Sequence, residues 1–211
     1  MANRFDQVAK NWDQDPEKIR RANLFAKEIV DFINPDSPMT AMEFGCGTGL
    51  LSVALRDHFK SITLIDNSPG MISVLEEKIE TNGMDNFQPF CTDPLVEELE
   101  LRDLDVIYSS MTIHHIHDLD KIIRIFNSGL KIEGYLCIAD LVTEDGTFHL
   151  EHPDFDGHKG FNEKEFKLLL KNNGFQVAYY KIIYEIEQEV NGVIKKYPLF
   201  LVIAKKTRKL L

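Results

Sequence analysis

Three glycines on alternate positions, directly after an apolar run that ends in an acid, constrain this chain more than any other stretch. The run is Ala41-Met42-Glu43-Phe44-Gly45-Cys46-Gly47-Thr48-Gly49-Leu50-Leu51. An amphipathic segment over 50–59 follows at once, so the stretch reads as strand, tight loop, helix. Glycine permits a left-handed backbone and lets a ligand approach with no Cβ in the way. The helix that follows points its free N–H groups at the same space. Such a loop holds a nucleotide-like ligand. The dinucleotide fingerprint G-x-G-x-x-G requires a third glycine where this chain has Leu50, and no Gly-Lys-Ser/Thr run of a P-loop exists.

The rest of the chain alternates strand and helix. Strands are expected at 39–44, 61–65 (closed by Asp66), 87–91, 105–110 and 135–142, with helices at 50–59, 68–82, 118–129 and 162–173. Ser68-Pro69 is a helix start, and Thr81-Asn82-Gly83 a helix end. Asp118 is expected to cap the third of these helices, and Asn162 with Glu165 forms a capping box for the fourth. Ahead of this lies a helical segment to residue 33, with Ala22, Ala26, Ile29, Val30 and Ile33 on one face, then a Pro-rich linker over 34–38. Two long β-rich runs at the end flank Asn191-Gly192, the strongest short hairpin signal. Pro198 within the second run suggests a bulge or an unpaired position. Such alternation implies a parallel sheet covered on both faces. Ligands then bind where strand order reverses, which brings the glycine loop and the stretch 109–117 together.

Lys and Arg number 24 against 34 Asp and Glu, a net charge of −10, which argues against a general nucleic-acid or membrane-surface binder. The basic tail over 205–209 reads as a solvated end. Cys46, Cys91 and Cys137 lack metal-type spacing and read as buried thiols. The polar N-terminus and the lack of a long apolar run lead us to expect a cytoplasmic setting.

Taken together, Glu43-Phe44-Gly45-Cys46-Gly47-Thr48-Gly49 resembles the first motif of class I S-adenosylmethionine-dependent methyltransferases. Within them the chain is most similar to small-molecule enzymes of the ubiquinone/menaquinone-biosynthesis type, which does not fix a substrate. The resemblance covers about residues 39–205. It implies an α/β, Rossmann-like, mostly parallel seven-stranded sheet in the order 3-2-1-4-5-7-6, last strand antiparallel, with helices on both faces. It implies residues 34–211 as the cofactor-binding domain and 1–33 as a helical cap.

The implied cofactor is S-adenosyl-L-methionine, leaving as S-adenosyl-L-homocysteine. The cofactor-binding candidates are Glu43, Gly45, Cys46, Gly47, Gly49, Asp66, Asn67, Met71, Thr92, Asp93 and Ser109. Asp66 would accept the ribose hydroxyls, or serve as an acid at a helix N-terminus. Glu43 would face the cofactor's amino group, or an internal cation. Asp93 would take the adenine amino group, or cap the turn at Pro94. Met71 would pack on adenine or fill core.

Methyl transfer from a sulfonium needs mainly alignment, so no catalytic triad is required. His115 and His114 are the candidate proton acceptors, with His117 beside them. His149, His152 and His158 lie with Glu151, Asp154 and Asp156 in a loop over 143–161, in no standard metal spacing, and no metal is expected. Phe148, Phe155 and Phe161, with Phe5 and Trp12, suggest that this loop and the N-terminal segment form a lid. The expected acceptor is a small molecule, with no nucleic acid partner and no membrane insertion; a homodimer is left open. A NAD(P)-dependent oxidoreductase and a non-catalytic S-adenosylmethionine-binding protein are the rival readings.

Overall fold

The computed structural model describes residues 4–35, 38–97, 99 and 101–207. A seven-stranded sheet runs in the order β3-β2-β1-β4-β5-β7-β6. Its strands are β1 (Thr40–Phe44), β2 (Ser61–Asp66), β3 (Phe87–Cys91), β4 (Leu104–Ser110), β5 (Leu130–Leu141), β6 (Phe175–Val190) and β7 (Val193–Lys206). β7 is antiparallel to both neighbours, and the other pairings are parallel. The helices are α1 (Arg4–Val8), α2 (Pro16–Ile33), α3 (Leu50–Leu55), α4 (Pro69–Asn82), α5 (Leu119–Gly129) and α6 (Glu163–Asn172).

Alternation along the strands sorts the core into two layers. Ala41, Ile62, Leu64, Tyr108 and Leu201 face one side, against Phe25 and Ile29 of α2, Leu51 and Leu55 of α3, and Leu75 of α4. Met42, Phe44, Ile65, Ile107 and Ile138 face the other, against Ile122 and Phe126 of α5 and Phe166 and Leu170 of α6. The expected N-cap bonds form, the box at Asn162 by its Asn162 half. Ser68 accepts from Met71 N, Asp118 from Lys121 N, and Asn162 from Lys164 N and Glu165 N. The hairpin turns at Asn191 (φ 52°) and Gly192 (φ 80°), as its sequence demands.

Several boundaries differ from expectation, each for a local reason. The N-terminal helix is broken, because Asp15-Pro16 starts α2 afresh: Asp15 accepts from Glu17 N, and Pro16 is a first helical residue. α3 ends at Leu55 and continues as a 3₁₀ turn over Arg56–His58. β5 begins at Leu130, but a bulge separates that start from the regular pairing that resumes at Val106↔Tyr135. Pro198 is paired opposite Glu185, and the bulge lies on β6 between Ile182 and Tyr184. The missing N–H does no harm there, since the pairing of β5 with β7 stops at Leu199. Cys91 is exposed on the edge strand, unlike the buried Cys46 and Cys137. Lys206 is buried, its Nζ donating to Asn127 O and Leu130 O, so the basic end is not simply solvated. Of the expected linker and tail, residues 36, 37, 208 and 209 lie outside the described residues.

Candidate active site

The carboxyl ends of β1 and β4 open onto a cleft of about 1690 Å³. That exceeds the space of a single small ligand and leaves room for a cofactor and an acceptor. Gly45, Cys46 and Gly47 form its floor, Asp66, Asn67 and Met71 one side, and Met111, Thr112, His114 and His115 the other. Gly45 has φ 67°, and a Cβ there would lie 2.2 Å from Thr112, so only glycine lets the two loops meet. At Gly47 the nearest atom to such a Cβ is Met71 Sδ at 3.9 Å, which leaves this stretch of backbone open to a ligand.

Glu43 is buried under the loop. Its Oε2 accepts from Ser52 N (3.2 Å) and Ser52 Oγ (2.5 Å), and Ser52 Oγ lies 2.6 Å from the Tyr108 hydroxyl. No internal ion pair offsets its charge among the described residues. Burial, only partly offset by the Ser52 bonds, pushes its carboxyl up to about 8. Asp66 closes β2 with both oxygens already engaged, Oδ2 by Gly47 N (2.7 Å) and Oδ1 by Ser68 N (2.8 Å). It therefore fixes the glycine loop and the start of α4 while still lining the cleft, and burial raises its pKa. Asp93 lines the cleft and also forms a turn, its Oδ1 accepting from Leu95 N at 2.9 Å.

Three sequence candidates point elsewhere. Ser109 is buried and donates to Phe44 O at 2.8 Å, tying β4 to β1. Gly49, at φ 78°, packs toward Leu75 of α4. Thr92 Oγ1 donates to Glu97 at 2.6 Å. Alternation explains Ser109: its neighbour Ser110 faces the cleft instead, and Met111, past the strand end at φ 56°, joins it.

The opposite end of the cleft is lined by histidines. His114 Nδ1 lies 2.6 Å from Asp140 Oδ1, with both side chains buried. Asp140 also accepts from His114 N and Leu141 N. In the neutral tautomer this contact places the ring proton on Nδ1, so that Nε2 is the nitrogen turned away from the carboxylate. Burial and the neighbouring His114 and His149 push the His115 imidazole down to about 3. Such a ring accepts a proton reluctantly near neutral pH, which weighs against the proton-acceptor role expected for His115. His149 reaches this wall from the loop over 143–161, stacked on Phe155 at 3.6 Å, and burial beside His114 and His152 lowers it to about 4. His152 also lines the cleft. His158 instead anchors the loop, its Nε2 donating to Ile116 O and its backbone N to His114 O. His117 is exposed near Asp156.

Of the expected lid aromatics, Phe5 packs edge-on against His115 (5.6 Å) and Trp12 (6.0 Å), while Phe148 lines the cleft. Phe161 belongs to the core beside Phe166, not to a cover. The N-terminal segment is pinned over the glycine-loop end of the cleft. Asp6 Oδ1 accepts from Ser68 Oγ and Gly70 N, and Asp13 from Thr48 Oγ1, with Lys78 paired to it at 2.5 Å.

Sequence reasoning missed three features. Asp140 follows the apolar run of β5 as Glu43 and Asp66 follow theirs, so the signal was present. Residues 182–188 of β6 line the cleft, which no local pattern foretells. Arg21 of α2 also lines it, with no carboxylate in ion-pair reach among the described residues, and burial disfavours its cation.

A family profile described as "Methyltransferase domain" matches residues 17–180. An uncharacterized methyltransferase, C1347.09, of Schizosaccharomyces pombe is 31% identical over 150 residues, 64% of this chain and 53% of that protein. A malonyl-[acyl-carrier protein] O-methyltransferase of Bacillus anthracis is 29% identical over 163 residues, 75% of this chain and 58% of its own length. The chain thus spans a little over half the length of these curated relatives. Among solved structures, a methyltransferase in complex with the Haloferax volcanii Trm112 methyltransferase activator superposes with a TM-score of 0.78 at 18% identity, covering 99% of this chain and 100% of that one. The sheet order, the glycine loop between two strand-end acids and the family match agree: the chain belongs to the class I S-adenosylmethionine-dependent methyltransferases.

Proposed function

We propose that this protein transfers the methyl group of S-adenosylmethionine to a small-molecule acceptor by in-line displacement. The observation that carries this reading is one continuous cleft that runs from the Glu43–Asp66 loop to the histidine wall. The cofactor, when bound, supplies an already activated methyl on a sulfonium. The residues present fit it. Glu43, buried without a cationic partner among the described residues, suits its ammonium end. Asp66 keeps acceptor capacity beyond its backbone bonds for ribose hydroxyls. Gly45, Cys46 and Gly47 give a floor free of bulky side chains there, and Asn67, Met71 and Asp93 flank the adenine end.

The acceptor then lies between His114, His115, His149 and Arg21. Arg21 supports an acceptor that carries a carboxylate or phosphate, since a half-buried guanidinium without an ion-pair partner among the described residues gains most from an anion. The N-terminal segment, with its cap-like hold on α4, and the loop over 143–161 exclude water during transfer. The chain's work is positioning, which can account for much of the barrier.

Calorimetry with S-adenosylhomocysteine, set against NAD(H), tests the cofactor. A screen of metabolite extracts for transfer from labelled cofactor, with mass identification of the product, tests the reaction. Binding of NAD(H) without S-adenosylhomocysteine would overturn the reading.

A further inference from the structure

Nothing in the spacing of His114, His115 and His149 suggests a joint task, yet the fold gathers one ring nitrogen from each to within 4.8 Å of the others. We propose that these three histidines form a binding site for a divalent transition-metal ion, zinc being the archetype, at the acceptor end of the cleft.

The geometry supports this in four ways. Three imidazole nitrogens around one tetrahedral zinc lie roughly 3.3 Å apart, so small side-chain rotations bring this set into range. His149 is carried on a loop and is the partner best able to make that adjustment. The His114–Asp140 contact is the carboxylate–histidine pairing that orients metal-ligating imidazoles, with the carboxylate on one ring nitrogen and the other free for an ion. His158 and Gly157 then hold the loop on the His114 turn. His158 N donates to His114 O at 2.7 Å, and a Cβ at Gly157 would lie 2.3 Å from that same oxygen. An all-imidazole set selects zinc, cobalt, iron, nickel or copper over magnesium or calcium.

Three protein ligands leave a fourth position, as in catalytic rather than structural sites. His114, His115 and His149 all line the cleft, so that position would open into it. If the methyl-transfer reading holds, the ion's fourth ligand is an oxygen of the acceptor, a hydroxyl or a carboxylate, and Arg21 neutralises further negative charge. With the ion bound, the His114 Nε2 lone pair is committed to it, and activation of an acceptor hydroxyl passes from the imidazole to the metal.

The test uses the full chain without an affinity tag, stripped with chelator and titrated with Co²⁺ while the visible ligand-field bands are followed. One equivalent is expected to bind, with a tetrahedral or five-coordinate spectrum that Zn²⁺ abolishes. His149→Ala and His149→Gln are expected to weaken binding by at least tenfold, and Asp140→Asn by about 10–100-fold. His117→Ala, an exposed control, retains wild-type affinity. Thermal melts of each variant separate lost ligands from lost fold; if His149→Ala is unfolded, the His149→Gln titration decides. Absence of saturable Co²⁺ binding, or binding that His149 substitution leaves unchanged, overturns the proposal. S-adenosylhomocysteine calorimetry on the same samples keeps the two readings apart: the cofactor reading stands if that ligand binds where Co²⁺ does not, and the metal site stands in the converse case.

Discussion

Glu43 offers the sharpest quantitative test, because its carboxyl is buried, held by Ser52 and lifted from 4.5 to about 8. A folded-state pKa above the unfolded value means that the folded chain binds the extra proton. The contribution to stability is therefore complete below pH 4.5 and is lost as pH rises through about 8. At about 1.36 kcal/mol per pKa unit, the loss across that window is on the order of 4–5 kcal/mol. His115 and His149 run the other way. Their folded values of about 3 and about 4 lie below the ordinary 6.5, so they add stability that is present above pH 6.5 and disappears on acidification. The two trends overlap between pH 4.5 and 6.5, so the wild-type curve alone does not isolate Glu43. The difference between wild type and Glu43→Gln does, because glutamine keeps the shape and an acceptor for Ser52 but cannot ionise. Urea unfolding from pH 5 to pH 8.5 should show the wild type losing stability relative to the variant as pH rises. Cofactor binding adds a second readout. At pH 7 a group with a pKa of about 8 is roughly 90% protonated, so docking an ammonium beside it should expel close to one proton. Calorimetry of S-adenosylhomocysteine in buffers of different ionisation enthalpy measures that number, and it should fall to near zero in Glu43→Gln. A difference curve flat across pH 5–8.5, or a proton count unchanged by the substitution, refutes the reasoning.

Arg21→Met should stabilise the protein by about 1 kcal/mol, seen as a melting temperature roughly 2–4 °C higher, while turnover with an anionic acceptor falls; an unchanged or lower melting temperature refutes the unpaired-cation argument. Asp66→Ala should weaken S-adenosylhomocysteine binding by roughly 1.5–3 kcal/mol in calorimetry, and should also cost about 1–3 kcal/mol in urea unfolding, because Gly47 N and Ser68 N both lose their acceptor. Asp6→Ala removes the acceptor for Ser68 Oγ and Gly70 N, so limited proteolysis should cut before α2 faster, with the melting temperature little changed.

The fold was legible because its signals are local. A strand of period two, a loop with three glycines and capped helices leave an alternating chain few arrangements other than a doubly wound sheet, and Asn191-Gly192 specifies the closing hairpin, while the strand order came from the family resemblance. The acids at strand ends were legible too, since Glu43 and Asp66 each close an apolar run. What sequence could not supply was the direction of individual side chains at the rim. One residue of pleat turns Ser109 into the sheet and Ser110 toward the cleft, and no local pattern separates them. Nor could it show that Glu43 rests on Ser52, itself backed by Tyr108, or that Arg21 has no ion-pair partner among the described residues, because burial and pairing are properties of packed surfaces. The histidines show the division most clearly. His114 and His115 are adjacent in sequence and His149 lies 34 positions further on, counting from His115 to His149, so their meeting depends on how β5 and the following loop fold back over β4. The glycine loop alone determines that a nucleotide-like ligand has a floor; the tertiary structure alone decides what faces it, because only chain reversal brings distant side chains within a few ångströms.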